Sequence, residues 1–261
     1  MLASSRVEIG PREADWVLEA AERRASTTDE VERIALGFAE RRAQGEPLQY
    51  VLGTAAFRHL ELAVGPGVLV PRPETEVLVE RALDRLPQGA TIVDVGTGSG
   101  AIALAIKQER PDARVWATDD STDALRYARV NREQLGLDVE ILRGGLLDPL
   151  PDSLRGGFDV VVSNPPYISE FETHLVAPDV LGHEPDHAVF GGGGDGLSIV
   201  ATLVSQAWPW LRPGGWLVCE IGHGQSAAVV ELFAGAGFID SGVHEDLAGW
   251  DRIVEGRKPE Q

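Results

Sequence analysis

From residue 91 onward, short apolar stretches with the length of β-strands alternate with longer stretches whose apolar residues recur at helical spacing. Strands are predicted at 91–95, 114–118, 139–142, 158–163 and 215–221, and helices at 101–108, 123–135, 199–211 and 227–234. This alternation predicts an α/β fold built on a doubly wound, mostly parallel sheet. The tail at 238–256 has strand-like pieces that suit additional edge strands.

The chain ahead of this region has a different character. Residues 11–44 carry apolar side chains at helical spacing, and a Ser-Thr-Thr-Asp break at 26–29 suits a new helix cap. This pattern predicts a small N-terminal helical domain, for which a packing role and substrate docking are equally open. An alternating stretch at 60–64, a Gly-Pro-Gly turn and an apolar return at 68–70 predict a hairpin. The expected division is a helical domain at 1–55, a hairpin and linker at 56–76, and an α/β domain at 77–261.

A glycine-rich segment follows the first predicted strand of the sheet and reads Asp-Val-Gly-Thr-Gly-Ser-Gly over 94–100. Glycines let the backbone turn tightly and approach a ligand, and the helix that follows offers unpaired N–H groups. Asp119 ends the second strand, where a carboxylate can accept hydrogen bonds from both hydroxyls of a ribose. Because ligands bind at the carboxyl ends of strands in such sheets, these residues predict a nucleotide-like cofactor.

The glycine pattern alone does not identify that cofactor. Residues 96–101 also fit the G-x-G-x-x-A fingerprint of dinucleotide folds, so NAD and S-adenosylmethionine both remain open. Asp94 ahead of the glycines favours S-adenosylmethionine, since methyltransferases commonly carry an acidic residue at that position.

A second unusual segment, Asn164-Pro165-Pro166-Tyr167, follows the strand predicted at 158–163. The Asn164 amide oxygen can accept one hydrogen of a planar NH2 group, and the Pro165 carbonyl can accept the other. The proline rings limit backbone conformers, and Tyr167 can stack on the flat group that carries the nitrogen. Accepting both hydrogens frees a lone pair that is otherwise delocalised, so attack on a sulfonium methyl needs only in-line positioning. The two segments together predict methyl transfer to nitrogen.

Composition limits the other possibilities. The net charge of −18 argues against a broad nucleic-acid-binding surface, because such surfaces are usually basic. Cys219 is the single cysteine and falls in an apolar run, so we expect a buried core residue and a reducing, cytoplasmic compartment. Residues 1–16 lack the apolar core of a secretion signal, and no stretch is long and apolar enough to span a bilayer.

Two further motifs carry weaker signals. The sequence His-Glu-Pro-Asp-His at 183–187 matches the H-E-x-x-H zinc-protease pattern. Pro185 interrupts the continuous helix that this pattern requires, so no metal site is predicted there. The glycine run at 191–196 resembles a phosphate loop without its Lys-Ser/Thr end, and predicts a flexible loop or lid before the next helix.

With these residues identified, the chain resembles the protein-(glutamine-N5) methyltransferases of the HemK/PrmC type over about 45–256. The resemblance includes Pro-Leu-Gln-Tyr-Val-Leu-Gly at 47–53, Val-Pro-Arg-Pro-Glu-Thr-Glu at 70–76, and the segments 94–101, 163–168, 184–185, 213–215, 220–222 and 251–252. The Asn-Pro-Pro-Tyr element alone is shared with DNA adenine methyltransferases. Its combination with the segment at 70–76 is close to diagnostic.

The resemblance implies a class I, Rossmann-like fold that uses S-adenosyl-L-methionine to methylate the glutamine of the Gly-Gly-Gln motif in class 1 peptide-chain release factors. It also implies that the helical domain helps to dock the release factor. Where the family often carries an acidic residue this chain has Gly145, so adenine contacts are expected from backbone atoms or Leu146. The implied cofactor-binding residues are Gly96, Thr97, Gly98, Ser99, Gly100, Asp119, Leu146 and Asn164. Asn164, Pro165 and Tyr167 are the implied catalytic residues, and these three with Pro166 would bind the target glutamine.

Two rival functions remain. A DNA or RNA adenine methyltransferase would share the Asn-Pro-Pro-Tyr element, although the acidic composition and the lack of a separate basic recognition domain count against it. A Rossmann-type oxidoreductase or a non-catalytic nucleotide-binding module would share the glycine pattern. We therefore expect a release factor as partner, and neither DNA nor a membrane.

Overall fold

The structure is a computed structural model that describes residues 9–260. The first eight residues of the predicted helical domain, and with them half of the segment judged to lack a secretion signal, lie outside the described residues.

The N-terminal region is helical, as predicted. Helices α1 (Pro11–Glu22), α2 (Thr28–Ala43) and α3 (Leu48–Leu52) pack around a small apolar cluster that includes Val17 and Phe38. The predicted break is a true cap, because the Thr27 side chain accepts a hydrogen bond from the Glu30 backbone N–H at 3.3 Å.

The hairpin forms between different strands than predicted. Strand β1 (Thr54–Phe57) pairs antiparallel with β2 (Leu60–Ala63), so the partner of the alternating stretch precedes it in the chain. The turn between them places Arg58 at a φ of 50°, and its guanidinium bonds the Glu109 carboxylate at 2.6 Å. The expected return strand at 68–70 is an irregular segment whose valines are buried without pairing. The Tyr50 hydroxyl donates to the Val68 carbonyl at 2.6 Å, which anchors this segment instead.

The main domain is a seven-stranded sheet with the order β5-β4-β3-β6-β7-β9-β8. Its strands are β3 (Thr91–Val95), β4 (Arg114–Asp119), β5 (Val139–Arg143), β6 (Phe158–Ser163), β7 (Leu211–Glu220), β8 (Ile239–Glu245) and β9 (Asp251–Arg257). The helices are α4 (Thr75–Asp84), α5 (Ala101–Glu109), α6 (Thr122–Leu135), α7 (Asp186–Val189), α8 (Ser198–Trp210) and α9 (Ser226–Gly235). Strands β3 to β7 are parallel and β9 runs antiparallel to both neighbours, which confirms the mostly parallel, doubly wound prediction.

Helices cover both faces of the sheet. Ile92, Val160 and Val218 face α4 and α5, whereas Val93, Val161 and Cys219 face α8 and α9, as expected for side chains that alternate along a strand. The prediction that Cys219 is a core residue is confirmed, because its side chain is fully buried. The central strands are therefore held rigidly, and so are the residues at their carboxyl ends. No helix among residues 9–260 is both long and apolar enough to cross a bilayer.

Candidate active site

Two adjoining cavities lie where the parallel strands β3 to β7 end, an edge called here the carboxyl edge. The main cavity has a volume of about 300 Å³ and the side cavity about 190 Å³. Leu69, Arg72, Asn164, Pro166 and Ala188 line both of them. A larger open groove of about 900 Å³ lies between α8 and α9, but it contains none of the predicted site residues. The carboxyl edge is therefore the candidate site.

The glycine loop, defined as residues 96–100, forms one wall of the main cavity. Gly96 and Gly98 have φ angles of 71° and 57°, a left-handed conformation that favours glycine. A Cβ on Gly96 would meet no atom of residues 9–260 within 4 Å, so the space beside it in this part of the chain is open to a ligand. Gly100 does not line the cavity. Its φ of 87° begins α5, where a Cβ would lie 2.9 Å from the Leu104 side chain.

Asp94 holds the glycine loop against the end of β3. Its Oδ2 accepts hydrogen bonds from the Thr97 hydroxyl at 2.6 Å and from the Ala103 N–H at 3.1 Å. The side chain is fully buried, and burial raises the pKa of this carboxyl to about 7. Within the described residues Oδ1 has no hydrogen-bond partner, which leaves one buried acceptor free beneath the loop.

Asp119, at the end of β4, reaches the same cavity. Its Oδ2 accepts from the Gly98 N–H at 2.8 Å and its Oδ1 accepts from the Ser121 N–H at 2.9 Å. Burial raises the pKa of Asp119, opposed by these two backbone hydrogen bonds. Each carboxylate oxygen has a second lone pair, so Asp119 can still accept from a pair of ligand hydroxyls.

Leu146 and Gly145 line the opposite wall of the main cavity. Leu146 has a φ of 45°, which is uncommon for a residue with a side chain. A Cβ on Gly145 would meet nothing within 4 Å, so the acidic residue that the resemblance leads us to expect would fit here without a clash.

The Asn-Pro-Pro-Tyr segment, residues 164–167, lies between the two cavities. The Asn164 Nδ2 donates to the Thr75 hydroxyl at 3.1 Å, and that hydroxyl donates to Glu220 Oε2 at 2.7 Å. The Tyr167 hydroxyl donates to Glu220 Oε1 at 3.3 Å. Glu220 is fully buried, and burial raises the pKa of its carboxyl to about 7. Burial, followed by the nearby Glu220 charge, raises the pKa of Tyr167.

The glycine run at 191–196 forms a loop before α8, as predicted, and it also supports the Asn-Pro-Pro-Tyr segment. That this loop is flexible or acts as a lid stays a prediction. A Cβ on Gly191 would lie 2.6 Å from the Pro166 carbonyl oxygen, and one on Gly196 would lie 2.2 Å from the Tyr167 carbonyl oxygen. The Gln225 side chain also donates to the Tyr167 carbonyl at 2.9 Å. The glycines are required because two stretches of backbone pack directly against each other.

An ion pair between a partly exposed arginine and a buried glutamate joins the linker to the chain that borders the side cavity. Arg72 Nη2 lies 2.6 Å from Glu184 Oε1, and the Glu184 side chain is 1% exposed. Burial raises the pKa of Glu184, opposed by Arg72. Pro185 immediately precedes α7, so His183 and His187 are not one turn apart on a continuous helix. The H-E-x-x-H match thus has no zinc-protease geometry.

Most of the predicted residues meet at the carboxyl edge. Gly96, Thr97, Gly98, Ser99, Asp119, Leu146 and Asn164 line the main cavity, and Asn164, Pro165, Pro166 and Tyr167 line the side cavity. Sequence reasoning assigned no role to Arg72, Thr75, Glu184 or Glu220. These four residues lie in segments that carry the resemblance: Pro-Arg-Pro-Glu-Thr-Glu contains Arg72 and Thr75, Glu-Pro contains Glu184, and Glu-Ile-Gly contains Glu220.

Comparisons with known proteins agree with this site. The Methyltransferase small domain family matches residues 73–201. The release factor glutamine methyltransferase of Geobacter sulfurreducens is 41% identical, over 98% of this chain and 92% of that protein. The enzyme of the same name from Mycolicibacterium smegmatis is 48% identical over 82% of this chain and 75% of its own length.

Solved structures share the fold. A methyltransferase from Pyrococcus furiosus superimposes with a TM-score of 0.61 at 21% identity, covering 78% of this chain and 91% of that one. The Thermus thermophilus 16S rRNA N2 G1207 methyltransferase, in complex with AdoMet and guanosine, gives a TM-score of 0.56 at 20% identity, over 78% and 49% of the two chains. These structural similarities establish a class I methyltransferase fold. The sequence identity to the curated relatives also establishes the family. The chain is a methyltransferase and belongs to the release factor glutamine methyltransferase family.

Proposed function

We propose that this enzyme transfers a methyl group from S-adenosyl-L-methionine to the side-chain amide nitrogen, N5, of the glutamine in the Gly-Gly-Gln motif of class 1 peptide-chain release factors. The observation that carries the proposal is the position of Asn164, which lines both cavities. If the main cavity holds the cofactor and the side cavity the acceptor, Asn164 stands where a group would pass between them. The names of the curated relatives support the acceptor.

The main cavity suits S-adenosyl-L-methionine. We infer that the open side of Gly96 and the glycine loop accommodate its methionine end, and that Asp119 accepts from its ribose hydroxyls. Leu146 and the backbone at Gly145 would border its adenine. The AdoMet complex of a protein with the same fold is consistent with this cofactor. When bound, S-adenosyl-L-methionine supplies a methyl group on a positively charged sulfur.

The chain's own residues prepare the acceptor nitrogen. Asn164 Oδ1 and the Pro165 carbonyl would each accept one hydrogen of the glutamine amide, which favours a pyramidal nitrogen whose lone pair is less delocalised into the carbonyl group. Tyr167 borders the side cavity and would stack on the planar amide. These groups hold the nitrogen in place, so the rate enhancement comes from orientation more than from acid–base chemistry. The N–H proton that the methyl group replaces would leave to water.

The side cavity is more consistent with an amide on an apolar stem than with a nucleic acid. Its walls include Val176, Ala177, Val180 and Val189. Of the residues that the structure describes, Arg72 is the one cation that lines it, and Arg72 is paired with Glu184. With a net charge of −18 on the chain, a phosphate backbone would be repelled. We therefore propose a protein acceptor and no DNA, and a cytoplasmic location remains a prediction from the single cysteine.

The domain boundaries also remain a proposal. The helical region around Val17 and Phe38 would help to dock the release factor, with the hairpin and linker joining it to the α/β domain.

Two assays test the proposed function. Radiolabelled S-adenosyl-L-methionine is incubated with the enzyme and either a release factor or adenine-rich DNA, and label is expected in the protein alone. Label that appears only in the DNA would overturn the proposal. Calorimetry with S-adenosyl-L-methionine and with NAD tests the cofactor, and tight NAD binding would contradict a methyltransferase site.

A further inference from the structure

Asn164 must present its oxygen, and not its NH2 group, to the acceptor amide. The two ends of an asparagine amide have nearly the same shape, so shape alone does not select the orientation. In the wrong orientation Asn164 would direct two N–H donors at the acceptor's own N–H groups. The hydrogen-bond partner of Asn164 therefore decides whether the site can work.

A chain of hydrogen bonds directed toward Glu220 selects the orientation. Glu220 Oε2 accepts from the Thr75 hydroxyl at 2.7 Å. A hydroxyl has one proton, so Thr75 can then only accept from Asn164. Asn164 accordingly turns Nδ2 toward Thr75, at 3.1 Å, and its oxygen is the polar atom left for a ligand.

The two residues at the Glu220 end of this hydrogen-bond chain are buried. Glu220 is 1% exposed and Thr75 is 4% exposed, so water does not compete for either group. Glu220 ends β7, Thr75 begins α4 and Asn164 follows β6, so three separate elements converge on these contacts. Hydrogen bonds aligned in one direction reinforce each other in such surroundings.

We propose that Thr75 and Glu220 are positioning residues that set the amide direction of Asn164, with the ionised Glu220 carboxylate as the acceptor-only end of the chain. The proposal rests on the proposed function, in which Asn164 Oδ1 accepts a hydrogen from the acceptor amide. Thr75 lines the main cavity beside Asn164, and Glu220 lines neither cavity. Both act through Asn164.

Thr75→Val and Thr75→Ser distinguish a positioning role of the hydroxyl from a packing role of the side chain. Valine keeps the shape of threonine and loses the hydroxyl, whereas serine keeps the hydroxyl and loses a methyl group. We expect Thr75→Val to lower kcat at least tenfold, with KM for the cofactor changed less than twofold, and Thr75→Ser to restore most of kcat. The reverse order would show that Thr75 only fills space. Thr202→Val, at an exposed position whose hydroxyl bonds its own helix, is the matched control.

Glu220→Gln tests the direction of the chain. A glutamine amide can donate to the Thr75 hydroxyl as well as accept from it, so the preference for one Asn164 orientation is lost. The groups that face Glu220 are Thr75, Tyr167 and Arg252, with Glu74 and the buried Cys219 nearby. With saturating cofactor, we expect the kcat of the native enzyme to rise through about pH 7, where Glu220 ionises, and the kcat of Glu220→Gln to be low and flat. An unchanged rise in Glu220→Gln would overturn the assignment.

A readout independent of turnover separates this inference from the proposed function. Exchange of the Asn164 side-chain amide protons, followed by NMR, should be slow in the native enzyme and in Thr75→Ser, and at least tenfold faster in Thr75→Val. Equal exchange rates in the native enzyme and both variants would contradict the inference even if release factors are methylated. Slow exchange lost only in Thr75→Val would uphold it even if the acceptor proves to be another amide.

Discussion

The carboxylate of Asp119 accepts a hydrogen bond of 2.8 Å from the backbone N–H of Gly98, so the end of β4 is tied directly to the glycine loop. Asp119, which is predicted to bind the ribose, therefore also supports the loop that would hold the rest of the cofactor. Losing Asp119 would remove an acceptor from the ligand and a restraint from the loop together.

Asp119→Ala is expected to weaken S-adenosyl-L-methionine binding by about 1.5–3 kcal/mol, the usual worth of a hydrogen bond to a charged group. This corresponds to a roughly tenfold to hundredfold rise in Kd. Calorimetry measures the change, and Asp148→Ala, at an exposed site outside both cavities, serves as the control. A Kd equal to that of the native enzyme would remove Asp119 from the site.

Asn164→Ala is expected to lower kcat by roughly 10²–10³, the typical cost of losing one preorganised hydrogen-bonding group at a reacting centre. Its Kd for the cofactor should change little, because Asn164 is one of many residues that border the cofactor cavity, whereas its proposed hydrogen bond to the acceptor contributes in the transition state. Single-turnover methylation and calorimetry measure the two effects, with exposed Gln134→Ala as the control. Turnover close to the native rate would contradict the assigned role.

The Arg72–Glu184 pair leads to a prediction about stability. Arg72→Met leaves the buried Glu184 carboxylate without its partner, which costs about 1–3 kcal/mol once the partial exposure of Arg72 is considered. Adding Glu184→Gln removes the stranded charge and should recover part of the loss. Thermal unfolding compares the two variants. Arg23→Met, which breaks exposed pairs with Glu19 and Glu61, should stay within about 0.5 kcal/mol of the native protein.

A larger loss in the double variant than in Arg72→Met would contradict this account. It would mean that Glu184 stabilises the fold through contacts other than the ion pair.

Asp94 predicts a pH dependence of cofactor binding. Burial raises its pKa from 3.8 to about 7, so the folded chain disfavours the charged form, and Asp94 lowers stability as the pH rises through that interval. A positively charged ligand favours the ionised carboxylate and lowers this pKa. Binding should therefore release protons near pH 7, and Kd should fall as the pH rises through 7. Asp94→Asn should flatten the profile in calorimetry, and a native Kd that is constant across this range would refute the coupling.

The sheet could be predicted because its central strands are apolar on both faces and are separated by helices of ordinary length. The hairpin prediction was wrong because β1 has the sequence Thr-Ala-Ala-Phe, whose small residues show little apolar–polar alternation. The valines at 68 and 70 gave a stronger strand pattern, although they form no strand. Strand β7 begins at Leu211, before a Pro-Gly-Gly sequence, because the pairing with β6 tolerates a register shift there. Pairing partners and irregular registers are set by tertiary contacts that local patterns do not contain.

The site divides in the same way. The glycine loop and the Asn-Pro-Pro-Tyr segment are local motifs whose chemistry is readable from adjacent residues. The Thr75–Glu220 contact joins positions that are 145 residues apart, and only the folded sheet brings them together. The close backbone contact at 191–196 was not predicted, because a phosphate loop, a mobile loop and a close backbone contact all favour glycine.

Fragmentation mass spectrometry of a release factor, after incubation with the enzyme and S-adenosyl-L-methionine, tests the central claim most directly. The account predicts one added methyl on the side-chain amide of the glutamine in the Gly-Gly-Gln motif, lost when that glutamine is replaced by glutamate. A methyl group located on any other residue, or retained in the glutamate variant, would contradict it.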